Sequence, residues 1–452
     1  MSDNVISYQP TEGLCYDPRE ARYWNIEMLD LEVTRVFEVC HGCRMCFKYC
    51  DSFPKLFEFI DAEPNGDVKA LTSSQVGQVM DDCFQCKLCE VQCPYTPADG
   101  HEFLLDFPKL VHRYKAVRAR ERGLTVRDRA LGNPDALGQI ARMSMGLANV
   151  MNRVALHRWF LETFLGIHRD KDLPDFAPTS FDRWAKDQGV AAADAPAEGE
   201  DHETVMFATC FVNNNDPEIG RDTLEVFERN QVRCKVITDG GCCGMPAWEA
   251  GDLARLRRFA ANLIDRVHPH VQAGAKLVVL QPTCAMMIRR EYPELLEDPR
   301  AQAVADAVVD AGEYLWSIRK EERFNNDFAS SPPGGSIAYH TPCHLRAQRV
   351  GFRGRDLLKK IPDTKVETVM ECCGHDGTYA MKVEGFEAAA RIGEPAFAGM
   401  KKANAQVWAS ECALAGLQFQ QQAGRRSMHP MSVLARAYRE DGFRELPSPK
   451  EK

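Results

Sequence analysis

Two runs of four cysteines constrain this chain more than any other feature of its sequence. Cys40, Cys43, Cys46 and Cys50 form one run, and Cys83, Cys86, Cys89 and Cys93 the other; both read C-x2-C-x2-C-x3-C. Three thiolates at this spacing wrap one face of a compact inorganic core. The fourth lies on the following helix and points away, and where two such runs share a chain it ligates the other cluster. The spacing therefore assigns one [4Fe–4S] cluster to Cys40, Cys43, Cys46 and Cys93. It assigns a second to Cys50, Cys83, Cys86 and Cys89, close enough for electrons to pass between the two. Zinc is the competing occupant, but zinc knuckles pair two C-x2-C units or bring in histidine at longer separation. Pro94 follows the second run, whereas Asp51 holds the matching place after the first. That departure alters a turn and no ligand.

The rest of the composition narrows the setting. The chain holds 18 cysteines among 452 residues, and residues 1–13 are polar, without the charged and apolar regions of a secretory leader. Thiols in such a chain read as kept reduced for metal, so the expected compartment is the cytoplasm. A net charge of −9 gives no electrostatic reason to expect a nucleic-acid partner. No apolar run reaches the length of about 18 residues that a spanning helix needs.

Composition divides the chain into a lead segment (1–35), a two-cluster domain (36–108), a helical, basic connecting region (109–188), a flexible linker (189–203), two further domains (204–330 and 331–440) and a tail (441–452). The two later domains repeat one pattern. Short apolar runs end at Cys210, at the pair Cys242 and Cys243, and at Cys284; they end again at Cys343, at the pair Cys372 and Cys373, and at Cys412. Each pair is followed by glycine, Gly244 or Gly374. Alternating apolar strands and amphipathic helices predict a parallel α/β layer in each copy, with the cysteines at the carboxyl edge where such sheets hold ligands. The copies are expected to face one another about a pseudo-twofold axis. Each four-thiol set is a candidate for a further cluster, making one or two beyond the first pair. Glycine after the pair is expected to let backbone approach the inorganic core. A buried cysteine is commonly a small hydrophobe, but that does not explain cysteine pairs recurring in register. Cys15 and Cys234 match no motif, and Cys234 reads as strand core.

Taken together, these motifs resemble the family of the C subunit of anaerobic glycerol-3-phosphate dehydrogenase. They are more distantly similar to the iron–sulfur subunits of glycolate and lactate oxidation and to the CCG-bearing subunit of heterodisulfide reductase. The likeness includes the segments after Cys210 and Cys284, those around Cys343 and Cys372, and residues 167–184, which lie outside the cysteine motifs. It implies an α+β multidomain protein: a helical, ferredoxin-like two-cluster domain followed by two pseudo-repeated α/β CCG domains. It also implies an electron conduit from a flavoprotein dehydrogenase to a membrane quinone or another acceptor. The family's full CCG motif ends in C-x-x-C, but Met287 and Ala415 occupy the last position here. Four thiolates suffice for a cubane and not for the enlarged cluster of heterodisulfide reductase.

Three readings of function follow. In the first, the chain is the electron-transfer component of a multi-subunit oxidoreductase rather than a stand-alone enzyme. A flavoprotein partner is required because no phosphate-binding glycine motif is present. In the second, the CCG cleft itself reduces a disulfide, quinone or other small acceptor. In the third, the chain is a reductant for a peroxide-scavenging diiron protein. His340, His344 and His375 are candidates to donate hydrogen bonds to a cluster or to carry a coupled proton. Residues 109–171 are rich in Lys and Arg, and their later half, 140–169, mixes apolar and basic side chains at helical spacing, which suits an anionic membrane surface on the inner face, an acidic protein partner, or the protein's own body.

Overall fold

The computed structural model describes residues 8–196, 202–375 and 377–446. Among them the chain divides into two compact units: residues up to 125 together with Ala247–Leu253, and Val126–Pro246 together with residues from Ala254 onward.

The first unit is helical. Its helix Ile26–Cys43 starts where the Asn25 side chain accepts from the Met28 amide, satisfying one of the donors a helix start leaves open. Leu29, Val33, Val36 and Phe37 make its buried stripe, the spacing of a helix face turned to a core. Helices Ser52–Ala62 and Phe107–Arg122 pack against it. The lead segment is bound rather than free. Arg113 is fully buried and donates to the carbonyls of Gly13, Arg22 and Tyr23 at 2.6–2.8 Å. The expected boundary at 108/109 falls inside the helix Phe107–Arg122, whose Leu110 and Val111 are core residues; the unit runs on to 125 because that helix completes its core.

The second unit holds two parallel sheets. Strands β1 (Thr204–Phe207), β2 (Cys234–Val236), β3 (Lys276–Val279) and β4 (Val308–Asp310) form the first, in the order β2-β1-β3-β4. Strands β5 (Ser336–His340), β6 (Lys365–Val369) and β7 (Val407–Ala409) form the second, in the order β6-β5-β7. All pairings are parallel. The shared middle-strand order is the repeat read from the sequence, with β4 an addition to the first copy. β1 is buried along its whole length, as a parallel sheet covered on both faces requires. One core joins the copies: Met206, Val226 and Tyr314 belong to the same cluster as Ile337, Tyr339 and Leu434.

The expected flexible linker does not begin at 189. Ala191 bridges Val236 of β2, the Ala192 amide donates to the Val236 carbonyl at 2.8 Å, and Val190 packs on the core. An apolar side chain next to an open strand edge explains the capture. Residues 197–201 of that linker, 447–452 of the tail and 1–7 of the lead segment lie outside the described residues. No helix among the described residues is long and apolar enough to cross a membrane.

Candidate metal centres

In the first unit both cysteine runs use the same backbone device. The helix Ile26–Cys43 carries Cys40 and Cys43 in its last turn and stops at Arg44, which adopts the left-handed conformation at φ 56°. Lys87, the matching residue of the second run, does the same at φ 59°. A non-glycine residue seldom sits there, and its recurrence turns the chain so that Cys46 and Cys89 come back toward their own runs. The thiols bear on one another within and across the two runs. Burial pushes the Cys40 thiol well above its ordinary range, and Cys46, Cys93 and Cys43 raise it further. Burial likewise raises Cys89, aided by Cys86, Cys83, Cys46 and Cys50. Cys46 is pushed up to about 12 and Cys93 to about 11, burial being the largest cause in each. Thiolates crowded in this way oppose one another's charge until a cation joins them. Cys40, Cys43, Cys46 and Cys93 line a cavity of about 450 Å³ with otherwise largely apolar walls, Val39, Phe53 and Phe107 among them. Among the described residues no three His, Cys, Asp or Glu side chains close on one point as ligands of a single ion do. Four thiols on the wall of one cavity are a donor set that fits a multi-atom iron–sulfur core. The second group is the deeper one: Cys50, Cys83, Cys86 and Cys89 are all buried, while the four thiols of the first group are half-buried.

In the second unit every CCG cysteine follows the carboxyl end of a strand: Cys210 after β1, Cys242 and Cys243 after β2, Cys284 after β3, then Cys343, Cys372 and Cys412 after β5, β6 and β7. The two copies share an atomic detail. The Gly244 amide donates to Cys242 Sγ at 3.3 Å, and the Gly374 amide donates to Cys372 Sγ at 3.3 Å. At the first site a hydrogen bond with Cys242, together with burial, raises the Cys210 thiol well above its usual range. At the second a hydrogen bond from Cys343 lowers Cys372. Cys343, Cys372, Cys373 and Cys412 line a cavity of about 410 Å³. The copies meet along their site-bearing loops: the Ala413 amide donates to Gln281 Oε1 at 3.3 Å, Thr283 Oγ1 pairs with His344 Nδ1 at 2.8 Å, and Cys412 bears electrostatically on Cys284.

The glycine of each pair also has a steric reason in the protein itself. A Cβ on Gly374 would stand 2.0 Å from the Ala389 carbonyl oxygen, and one on Gly244 would stand 2.6 Å from Leu256 Cδ1; both glycines have positive φ. Protein crowds the side where each Cβ would stand. The histidines also separate. His340 is buried with both ring nitrogens engaged, Nδ1 by Ser410 Oγ at 3.1 Å and Nε2 by the Glu371 carbonyl at 3.0 Å, so its expected bond to a cluster has no nitrogen left. Burial lowers its pKa to about 4. His344 pairs with Thr283 and borders the cavity together with His375, whose buried Nδ1 has no hydrogen-bond partner among the described residues. Met287 and Ala415 are fully buried; Met287 opens a π-helical turn, Met287–Glu291, and Ala415 lines the second cavity. Cys234 starts β2 as read, and Cys15 is buried, its thiol 3.7 Å from the Asp17 carbonyl.

Sequence reasoning missed the charged residues beside the CCG thiols. Asp135 bears on Cys210 and Cys242, Lys171 on Cys373, and Arg346 on Cys372. Lys171 lies in the segment 167–184, where likeness to the family is the one signal that could have found it.

Comparison with known proteins agrees with this geometry. Residues 39–96 match the 4Fe-4S dicluster domain family, and residues 204–289 and 337–420 match the cysteine-rich CCG domain family. The chain is 26% identical over 315 residues to the C subunit of anaerobic glycerol-3-phosphate dehydrogenase of Escherichia coli, covering 69% of this chain and 77% of that one. It is 24% identical over 372 residues to the glycolate oxidase iron–sulfur subunit of the same species, covering 78% and 82%. It is 29% identical over 187 residues to the lactate utilization protein A of Bacillus pumilus, covering 39% and 74%.

Proposed function

From a chain with a 4Fe-4S dicluster domain and two CCG domains, homologous to the glycerol-3-phosphate dehydrogenase and glycolate oxidase iron–sulfur subunits, we propose an electron-transfer subunit that relays electrons from a flavoprotein dehydrogenase to a quinone or similar acceptor. The observation that carries this reading is the presence of sixteen motif cysteines, eight in the 4Fe-4S dicluster domain and four in each CCG domain. Cys40, Cys43, Cys46 and Cys93 hold one [4Fe–4S] cluster; Cys50, Cys83, Cys86 and Cys89 hold the second. Cys210, Cys242, Cys243 and Cys284, and Cys343, Cys372, Cys373 and Cys412, hold one each. A bound cluster supplies one-electron storage. The chain's own residues do the rest: they exclude water with apolar walls, fix the thiols and graduate the exposure of the sets. Met45 and Phe47 are exposed beside Cys46, which supports entry of electrons at the half-buried set from a partner docked there. Anaerobic purification tests the reading. About 16 iron atoms per chain and a flavoprotein recovered with it are expected; a colourless, zinc-loaded protein, or an active enzyme repeatedly isolated without partner, overturns it.

The cavity beside Cys343 and His375 supports a second reading, reduction of a small acceptor at the CCG cleft itself. Stopped-flow oxidation of reduced protein by disulfides and quinones separates the two, since only the second reading makes Cys343→Ser abolish direct turnover while the dicluster signals persist.

Peripheral membrane contact also belongs to the proposal. Helices Pro134–Met143, Leu147–Met151 and Ala155–Leu165 expose Met143, Leu147, Leu156, Phe160 and Phe164, and the turn between the first two exposes Met145, 94% of it. An apolar surface of this extent marks a docking face. Long side chains protruding among arginines suit the boundary of an anionic bilayer on the cytoplasmic side.

A further inference from the structure

The two CCG sites have matching thiols and different charged side chains beside them. At the second site Lys171 is 3% exposed. Its ammonium donates to Gln418 Oε1 at 2.6 Å, on the helix Ala413–Ala423 that leads away from Cys412. Its charge bears on Cys373 and on His375, with Asp172 the carboxylate nearest in effect. Arg346, whose guanidinium donates to the Met370 carbonyl at 2.7 Å, adds positive charge at Cys372 against Glu371. At the first site Asp135 bears on Cys210 and Cys242. Its Oδ1 accepts at 3.3 Å from Asn214, whose amide also donates to the Cys210 carbonyl at 2.9 Å, and its Oδ2, 3.4 Å from where a Cβ on Gly241 beside Cys242 would stand, is buried with no hydrogen-bond partner among the described residues; Arg142 opposes its charge. Asp135 and Lys171 both come from the connecting region, outside either repeat.

A cluster gains one negative charge when it takes an electron. A buried cation beside it stabilises the reduced form and raises its potential, a carboxylate does the reverse, and neither effect is much screened away from solvent. On the reading that each CCG site carries a cluster, we propose that Lys171 and Asp135 set the direction of electron flow through the CCG pair, making the second site the electron-collecting end. One electron leaves the first-site cluster, which is thereby oxidised, and reduces the second-site cluster; no proton or other reactant enters the step. Lys171 and Asp135 are positioning residues, acting through the clusters.

EPR-monitored redox titration of the anaerobic full-length protein tests this, with Cys210→Ser and Cys343→Ser identifying each site's signal. Lys171→Met is expected to lower the second-site midpoint alone, by roughly tenfold in its reduction equilibrium constant, about 59 mV for one electron. Lys171→Arg is expected to keep the native value, and Asp135→Asn to raise the first-site midpoint. Native midpoints in all three variants at full iron content overturn the proposal. If Lys171→Met loses the second cluster, Asp135→Asn decides: a raised first-site midpoint upholds the proposal and an unmoved one overturns it. About 8 iron atoms per native chain would instead remove the underlying reading, and this proposal with it.

Discussion

At the scale of single residues, the cysteines were legible because metal ligation fixes residue type and spacing together. The glycines were legible in position, and the structure adds a steric cause. Gly374 combines φ 73° with an alanine carbonyl 2.0 Å from where a Cβ would stand, so Gly374→Ala meets left-handed strain of about 1–3 kcal/mol and a backbone collision besides. The expected outcome is loss of roughly a quarter of the iron, the second CCG share, together with a lowered urea midpoint; unchanged iron and stability would contradict it. The second residue-scale expectation concerns pH. His429 is buried and caps the helix Pro430–Tyr438, its Nδ1 accepting from the Met431 amide at 3.2 Å. Burial lowers its pKa to about 4, against the pull of a bond to the Leu280 carbonyl. The unfolded chain therefore binds the proton first as pH falls. The resulting stability is complete above a pH of about 6.5 and is lost progressively toward about 4, up to about 3 kcal/mol in all. Asn keeps the cap without titrating. The stability of His429→Asn relative to the native chain should thus rise by that amount between pH 6.5 and 4, read from urea midpoints of the two apoproteins; a pH-independent difference would refute the assignment.

At the scale of elements, the parallel strands were readable because β1, β3, β5 and β7 are buried on both faces and so appear as short apolar runs, each ending just before a cysteine. β4 was not read: Val308–Asp310 follows directly on the helix Arg300–Ala307, and three residues carry no period of their own. The connecting helices show the opposite limit. Apolar and basic side chains at helical spacing did not say whether the apolar face turned inward or outward. The answer is outward for Leu156, Phe160 and Phe164, which recur every fourth residue on Ala155–Leu165 and are 73%, 49% and 63% exposed. Replacing all three with serine should leave the circular dichroism spectrum unchanged, since exposed substitutions shift stability by about 0.5 kcal/mol or less. Flotation with anionic vesicles should be lost. Retained flotation, or a native protein that never floats, would turn the face away from the membrane and toward a protein partner.

At the scale of the whole molecule, reading domains from cysteine clusters placed the first boundary too early and missed a segment altogether. Ala247–Leu253 follows the first CCG pair in sequence yet belongs to the first unit. There Trp248 is fully buried, its ring stacked on His112 at 4.5 Å between centroids, with the Lys87 ammonium 5.4 Å from its centre. Gly251 is equally committed, since a Cβ there would stand 2.5 Å from the Lys115 carbonyl oxygen. A tryptophan only five residues past Cys243 gives no sign in the sequence that it completes a different unit. Lys87 sits between Cys86 and Cys89, so the Trp248 contact supports the loop proposed to hold the buried cluster. Trp248→Ala should cost the first unit about 3–5 kcal/mol, the usual range for so large a truncation. Hydrogen exchange should quicken in residues 26–122 while β5–β7 keep their protection, and the EPR signal tied to Cys50 should be the first lost. A fragment ending at 125 lacks the same ring and should show the same loss. Should that fragment retain both clusters with native protection, or should Trp248→Ala loosen the second sheet instead, the first unit would be complete without the distant segment, and its cluster loops would owe their shape to residues up to 125 alone.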